Sequence, residues 1–165
     1  PCQLTNPDTS VYGIILNDRK SSIKQLGEKF ENVEDNLDMP HETFCSQDKS
    51  QTLSVFFHYG NYRNAFSEFQ VKEFSTNDTA IILSTKSFVT NSGIKLGLTK
   101  EKLISILGEC YKTLNTNEKT DTIKYRIDDF SNSVFLQRFN MPSYYAEYEF
   151  RDERLIRFRF GFDYP

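Results

Sequence analysis

The chain has 165 residues, 38% apolar and 26% charged, with a net charge of −3. That length allows one medium domain or two small fused units. No run of apolar residues is long enough to span a bilayer as a helix. Residues 1–80 carry 7 Lys/Arg against 12 Asp/Glu, and residues 81–165 carry 13 against 11. Neither half has the concentrated basic face of a phosphate binder, which speaks against a nucleic-acid partner. The aromatic content, 15 Phe and 9 Tyr with no Trp, suits a β-rich core.

In chain order, Pro1-Cys2 stands where a Met would, which implies trimming or processing, and the polar run from Gln3 to Ser10 follows. A cysteine ahead of a polar tether resembles a mature bacterial lipoprotein. On that resemblance Cys2 is the lipidation candidate and residues 1–10 are a flexible tail, although Pro1 departs from the small residue usual before such a cysteine. A disulfide or a free thiol at Cys2 are the alternatives. Three cysteines (Cys2, Cys45, Cys110) permit at most one intramolecular bridge. Lipidated Cys2 with a Cys45–Cys110 pair satisfies that count, and so does a reducing compartment with no bridge.

Residues 11–16 read as a short strand and 19–26 as a helix, with Asn17 or Asp18 as cap and Gly27 at its end. A polar stretch over 31–40 reads as loop. Strands are expected at 43–46, 53–59, 65–74 and 80–89. The pattern then restarts. Thr99 caps a helix whose stripe is Leu103, Ile106 and Leu107, with Leu98 before the cap and Gly108 after it. A loop is expected over 113–120 and strands at 122–127, 133–139, 144–150 and 154–162. Connections this short demand antiparallel pairing.

The restart carries sequence matches. Gly13-Ile14 and Leu26-Gly27-Glu28 recur as Gly93-Ile94 and Leu107-Gly108-Glu109, at offsets of 80 and 81. At an offset of 79, Ser54-Val55-Phe56-Phe57 recurs as Ser133-Val134-Phe135-Leu136, and residues 65–71 recur as 144–150. Matches in one order at nearly one offset predict a duplication, with units at 11–90 and 91–165. The expected fold is α+β: two tandem units, each a short strand and a helix followed by an antiparallel four-stranded meander, the helix packed on one sheet face.

Alternation sorts the faces. Ile156, Phe158 and Phe160 oppose Arg157 and Arg159; Tyr144, Ala146, Tyr148 and Phe150 oppose Tyr145, Glu147 and Glu149; Ile123, Tyr125 and Ile127 oppose Lys124 and Arg126. The helix covers the apolar side, and the other side carries facing charges of opposite sign. In the first unit the open side takes Phe66, Glu68, Gln70 and Lys72. Phe56 and His58 join them in one of the two orientations open to strand 53–59, which is apolar on both sides. These six are the protein-binding candidates, with burial against the other unit as the competing reading.

Residues 93–108, from Gly93-Ile94 through Leu98-Thr99 to Leu107-Gly108, resemble the strand, G-M-T, helix, L-L-G-x-P signature of SmpA/OmlA-type lipoproteins. The β-lactamase inhibitor protein family shares that architecture with two units in tandem. Leu98 replaces the usual Met, Cys110-Tyr111 stands where Pro is common, and the first unit is a worn match. The resemblance implies a non-enzymatic protein that binds other proteins at the bacterial cell envelope, extracytoplasmic, with no cofactor and no catalytic residue carried over.

Enzymatic chemistry finds little footing in the residues. His41 and His58 are the only histidines, and Glu42 with Cys45 is the only local cluster that could add metal ligands, at no recognisable spacing. A Cys45/His58 nucleophile pair lacks an orienting motif, and the chain has no G-x-S-x-G, P-loop or G-x-G-x-x-G. Glu147 and Glu149 fit ion pairing better than a glycosidase carboxylate pair. The expectation is a protein-binding module whose partner is another protein and whose membrane contact is limited to an N-terminal lipid. An inhibitor or immunity protein against an enzyme or toxin is the alternative, since the acidic first half suits a basic target. A small hydrolase without a recognisable motif comes third.

Overall fold

The computed structural model describes residues 2–28, 41–57, 65–76, 80–116 and 118–163. Ser10–Val11 (β1) and Ile14–Ile15 (β2) pair antiparallel about Tyr12-Gly13, so the single strand expected over 11–16 folds back as a hairpin. Arg19–Leu26 (α1) follows as its periodicity predicts, and of the two proposed caps it is Asp18 whose carboxylate accepts from the Ser21 amide, at 3.0 Å. Lys100–Leu107 (α2) is capped by Thr99, which accepts from the Lys102 amide at 3.2 Å. The two helices stop alike: Gly27 (φ 79°) and Gly108 (φ 89°) turn the chain where a side chain would be strained. Each donates its N–H to an isoleucine carbonyl four residues back, Ile23 at 2.8 Å and Ile104 at 2.7 Å.

Among the described residues, eight strands make the main sheet: His41–Cys45 (β3), Gln51–Phe56 (β4), Glu68–Glu73 (β5), Ile81–Ile82 (β6), Lys112–Thr116 (β7), Asp121–Ile127 (β8), Ser143–Arg151 (β9) and Arg154–Asp163 (β10). Their spatial order is β6-β3-β4-β5-β10-β9-β8-β7. Every neighbouring pair is antiparallel except β3 and β6. The fold is α+β, with one large mixed sheet and few helices. Its centre is the β5–β10 seam, where Lys72 to Glu68 run opposite Arg157 to Gly161. The two halves therefore meet edge to edge, and their faces, helix-free among the described residues, form one continuous surface instead of packing on each other.

Two expected strands and one expected loop differ. Residues 133–139 form Val134–Phe139 (α3), capped by Ser133 Oγ, which accepts from the Leu136 amide at 3.2 Å. A short apolar run does not separate helix from strand by pattern alone. Here the cap and the i,i+4 pair Phe135/Phe139, whose rings lie 5.9 and 5.0 Å from Phe162, decide for helix. The last strand of the first meander, expected over 80–89, shrinks to β6 and pairs parallel with β3, because β10 occupies the free edge of β5. Residues 113–116 of the loop expected over 113–120 instead belong to edge strand β7. The loop expected over 31–40 lies outside the described residues.

One core runs through the molecule. Leu53, Val55, Phe69, Val71, Phe158, Phe160, Phe162, Tyr144, Tyr148 and Tyr125 are buried on one sheet face, together with Leu103 and Leu107 of α2 and Leu136 of α3. The Tyr125 hydroxyl donates to the Gly108 carbonyl at 2.6 Å, tying the end of α2 to β8. Residues 2–9 belong to this fold and are not a flexible tail: Leu4 and Asp8 are buried, and the Tyr144 hydroxyl donates to the Asp8 carbonyl at 2.8 Å.

Candidate functional site

The strands with odd and even positions sorted as expected leave Lys124, Arg126, Tyr145, Glu147, Glu149, Arg157 and Arg159 on the face away from the helices. Neighbouring strands place opposite charges side by side. Lys124 Nζ meets Glu147 Oε1 at 2.8 Å, Arg157 Nε meets Glu149 Oε2 at 2.8 Å, and Arg126 Nη1 meets Asp163 Oδ2 at 3.0 Å. Such pairs are partly exposed and add little stability singly, but together they hold the side chains in one arrangement.

Arg159 is the centre of the surface. Its Nε donates to Tyr145 Oη at 2.9 Å and to Glu68 Oε2 at 3.1 Å, Nη2 closes on the same carboxylate oxygen, and the guanidinium lies 4.4 Å above the Phe56 ring. The Glu68 side chain is only 6% exposed, so Arg159 supplies the charge that makes its burial tolerable. Burial pushes the Tyr145 phenol well above its usual range, and the Glu68 carboxylate adds to that, so it stays un-ionised and accepts from Arg159. A shallow hollow of about 280 Å³ opens here, lined by Glu68, Lys124, Tyr145, Glu147, Arg157, Arg159 and Asp163. Each acid of the ladder is matched by a base: Glu68 by Arg159, Glu147 by Lys124, Glu149 by Arg157 and Asp163 by Arg126. The arrangement presents a pre-ordered pattern of charge and aromatic edge.

Of the six sequence candidates, four sit on this face. Glu68, Gln70 and Lys72 alternate along β5 opposite Gly161, Arg159 and Arg157, and Phe56 lies under Arg159, 5.3 Å from the His41 ring. Phe66 does not. It precedes β5, is fully buried and packs 6.3 Å from Phe57 in the core, because the alternation of β5 does not extend back that far. His58 lies outside the described residues. Cys45 is buried on β3 as a free thiol. The disulfide is Cys2–Cys110, with Cα atoms 5.2 Å apart, which corrects the expected Cys45–Cys110 pair. It also corrects the lipid reading of Cys2, whose sulfur is taken by the bond. Glu147 and Glu149 are in ion pairs, as expected.

Arg159, Tyr145, Arg157 and Lys124 were legible as open-face residues but not as a site. What places Glu68 beneath Arg159 is the β5–β10 pairing between residues 91 apart in sequence, and no local pattern announces it. Comparison with protein-family models, with curated proteins and with solved structures gives no match to this chain.

Proposed function

We propose that the chain is a non-enzymatic protein-binding module of the bacterial cell envelope, in the manner of the SmpA/OmlA and β-lactamase inhibitor protein architectures it resembles, and that it docks its partner on the helix-free face of β5, β10, β9 and β8. The observation that carries this reading is Arg159, locked between Phe56, Glu68 and Tyr145 at the middle of the sheet. Arg and Tyr held rigid at the centre of a polar surface are the residue types that dominate binding energy at interfaces, and pre-ordering lowers the entropy lost on association. The tandem reading is part of the proposal. In its favour are two helices with equivalent glycine ends and two strand sets that meet at a shared seam. A disulfide supports an oxidising, extracytoplasmic location.

The test is a photo-crosslinking amino acid placed singly at Gln70 or Glu149 on the face, and at Lys24 or Lys102 on the helices as controls, in cells of the source bacterium. The expected result is one protein captured from the face positions and absent from the helix positions. An envelope assembly protein among the products supports this reading. A toxin or a hydrolase moves the chain to the inhibitor class on the same surface, and capture from the helix positions alone overturns the assignment of the face.

A further inference from the structure

Residues 2–9 lie along the fold as a strap fastened at both ends. At one end exposed Cys2 is bonded to Cys110, just beyond α2. At the other, Asp8 is 1% exposed. Its Oδ1 accepts from the Ser92 amide at 3.1 Å and the Ser92 hydroxyl at 2.6 Å, while Asn91 Oδ1 accepts from the Thr9 and Ser10 amides at 2.8 and 3.0 Å. Oδ2 is buried without a hydrogen-bond partner among the described residues, and no cation pairs with the carboxylate there. The titratable groups facing Asp8 are the phenols of Tyr144 and Tyr148 from β9; the turn at 90–92 contributes only the hydroxyls of Thr90 and Ser92.

A carboxylate in that setting opposes its own burial when ionised. Burial raises its pKa above the usual carboxylate range, against the downward pull of Ser92 and Thr90. The apolar return from the strap is chiefly Leu4, so its docking at neutral pH leans on the covalent bond. We propose that the strap is a latch held shut by the Cys2–Cys110 disulfide: with the bond reduced, residues 2–9 leave the fold at neutral pH and stay docked at acid pH. The reductant is a dithiol. It attacks the exposed bond, gives up two electrons and two protons to leave both cysteines as thiols, and is itself oxidised to a disulfide. The sign of the pH effect follows from the raised pKa. The docked state binds the Asp8 proton more tightly than the free strap, so docking is favoured below the ordinary carboxylate range and weakens as pH rises through the docked value. Opening uncovers the Tyr144 hydroxyl and the turn at 90–92.

Hydrogen exchange, corrected for intrinsic rates, tests this on the full chain. It is read in the oxidised protein, after reduction by a water-soluble phosphine, and in Cys2→Ser, each at acid and at neutral pH. The expected result is loss of protection over residues 2–11 on reduction at neutral pH, while β9 and β10 remain protected. Protection over 2–11 is retained at acid pH, and in reduced Asp8→Asn at both pH values. A strap that stays protected after reduction at neutral pH overturns the latch. So does loss at both pH values, or loss of strap and β9–β10 protection together, which would make the bond a staple of the whole fold.

Discussion

At Gly161 on β10 the backbone lies against Ser67 and Glu68 of the other half of the sheet. A Cβ added there would stand 2.2 Å from the Ser67 carbonyl oxygen and 2.6 Å from Glu68 Cα, both backbone atoms that cannot swing aside. The glycine lets the Phe162 amide reach the Ser67 carbonyl at 2.9 Å and brings Glu68 under Arg159. Gly161→Ala is therefore expected to destabilise the protein by about 3 kcal/mol, at the upper end of ordinary overpacking, measured as a drop in the urea midpoint with unchanged slope. The sequence offered no hint of this contact. A glycine between Phe160 and Phe162 looks like a gap in an otherwise regular strand, and only long-range pairing shows which backbone approaches it. Arg159 and Glu68 teach the same point: alternation assigned each to the right face, while their partnership depends on the seam.

Among the elements, α1 and α2 were the most legible, because a cap and a terminal glycine bracket each within ten residues and α2 adds an apolar stripe. The strands β8, β9 and β10 were legible for a similar reason: the alternation of aromatic and charged residues is long and regular. Residues 133–139 misled because Ser-Val-Phe repeats a strand segment, yet here Ser133 serves as a helix cap and Val134 is 80% exposed. Shared letters there do not mean shared structure, so that block of the internal repeat carries no weight. Ser133→Ala is expected to cost about 1 kcal/mol through loss of the bond to the Leu136 amide. Hydrogen exchange should rise over 134–139 and leave β9 protected. If the residue were a strand position, the change would leave exchange in that segment untouched. The edge strands were illegible for a different reason. β6 is two residues long and β7 is mostly polar, so neither carries an alternation from which register is read.

At the scale of the molecule, three associations hold distant parts together: the β5–β10 seam, the core shared by α2, α3 and the sheet, and the Cys2–Cys110 bond across 108 residues. Cysteine counting limited the bridges to one but could not choose the pair, and the lipoprotein resemblance favoured the wrong one. The whole-molecule consequence, among the described residues, is a face without helices on which Lys124, Arg126, Arg157 and Arg159 each pair with a carboxylate. This makes the binding claim testable without unfolding the protein. Exchanging partners, Lys124→Glu with Glu147→Lys and Arg157→Glu with Glu149→Arg, keeps each ion pair and inverts the pattern a partner would meet. Partly exposed pairs of this kind contribute about 0–1 kcal/mol each, so stability should change by no more than about 1 kcal/mol per exchange. The decisive measurement is the affinity of the two exchanged proteins for the partner captured at Gln70 or Glu149. A loss of about tenfold or more in at least one of them, with stability preserved, is the predicted result. Full affinity in both would contradict the assignment of this face as the docking surface.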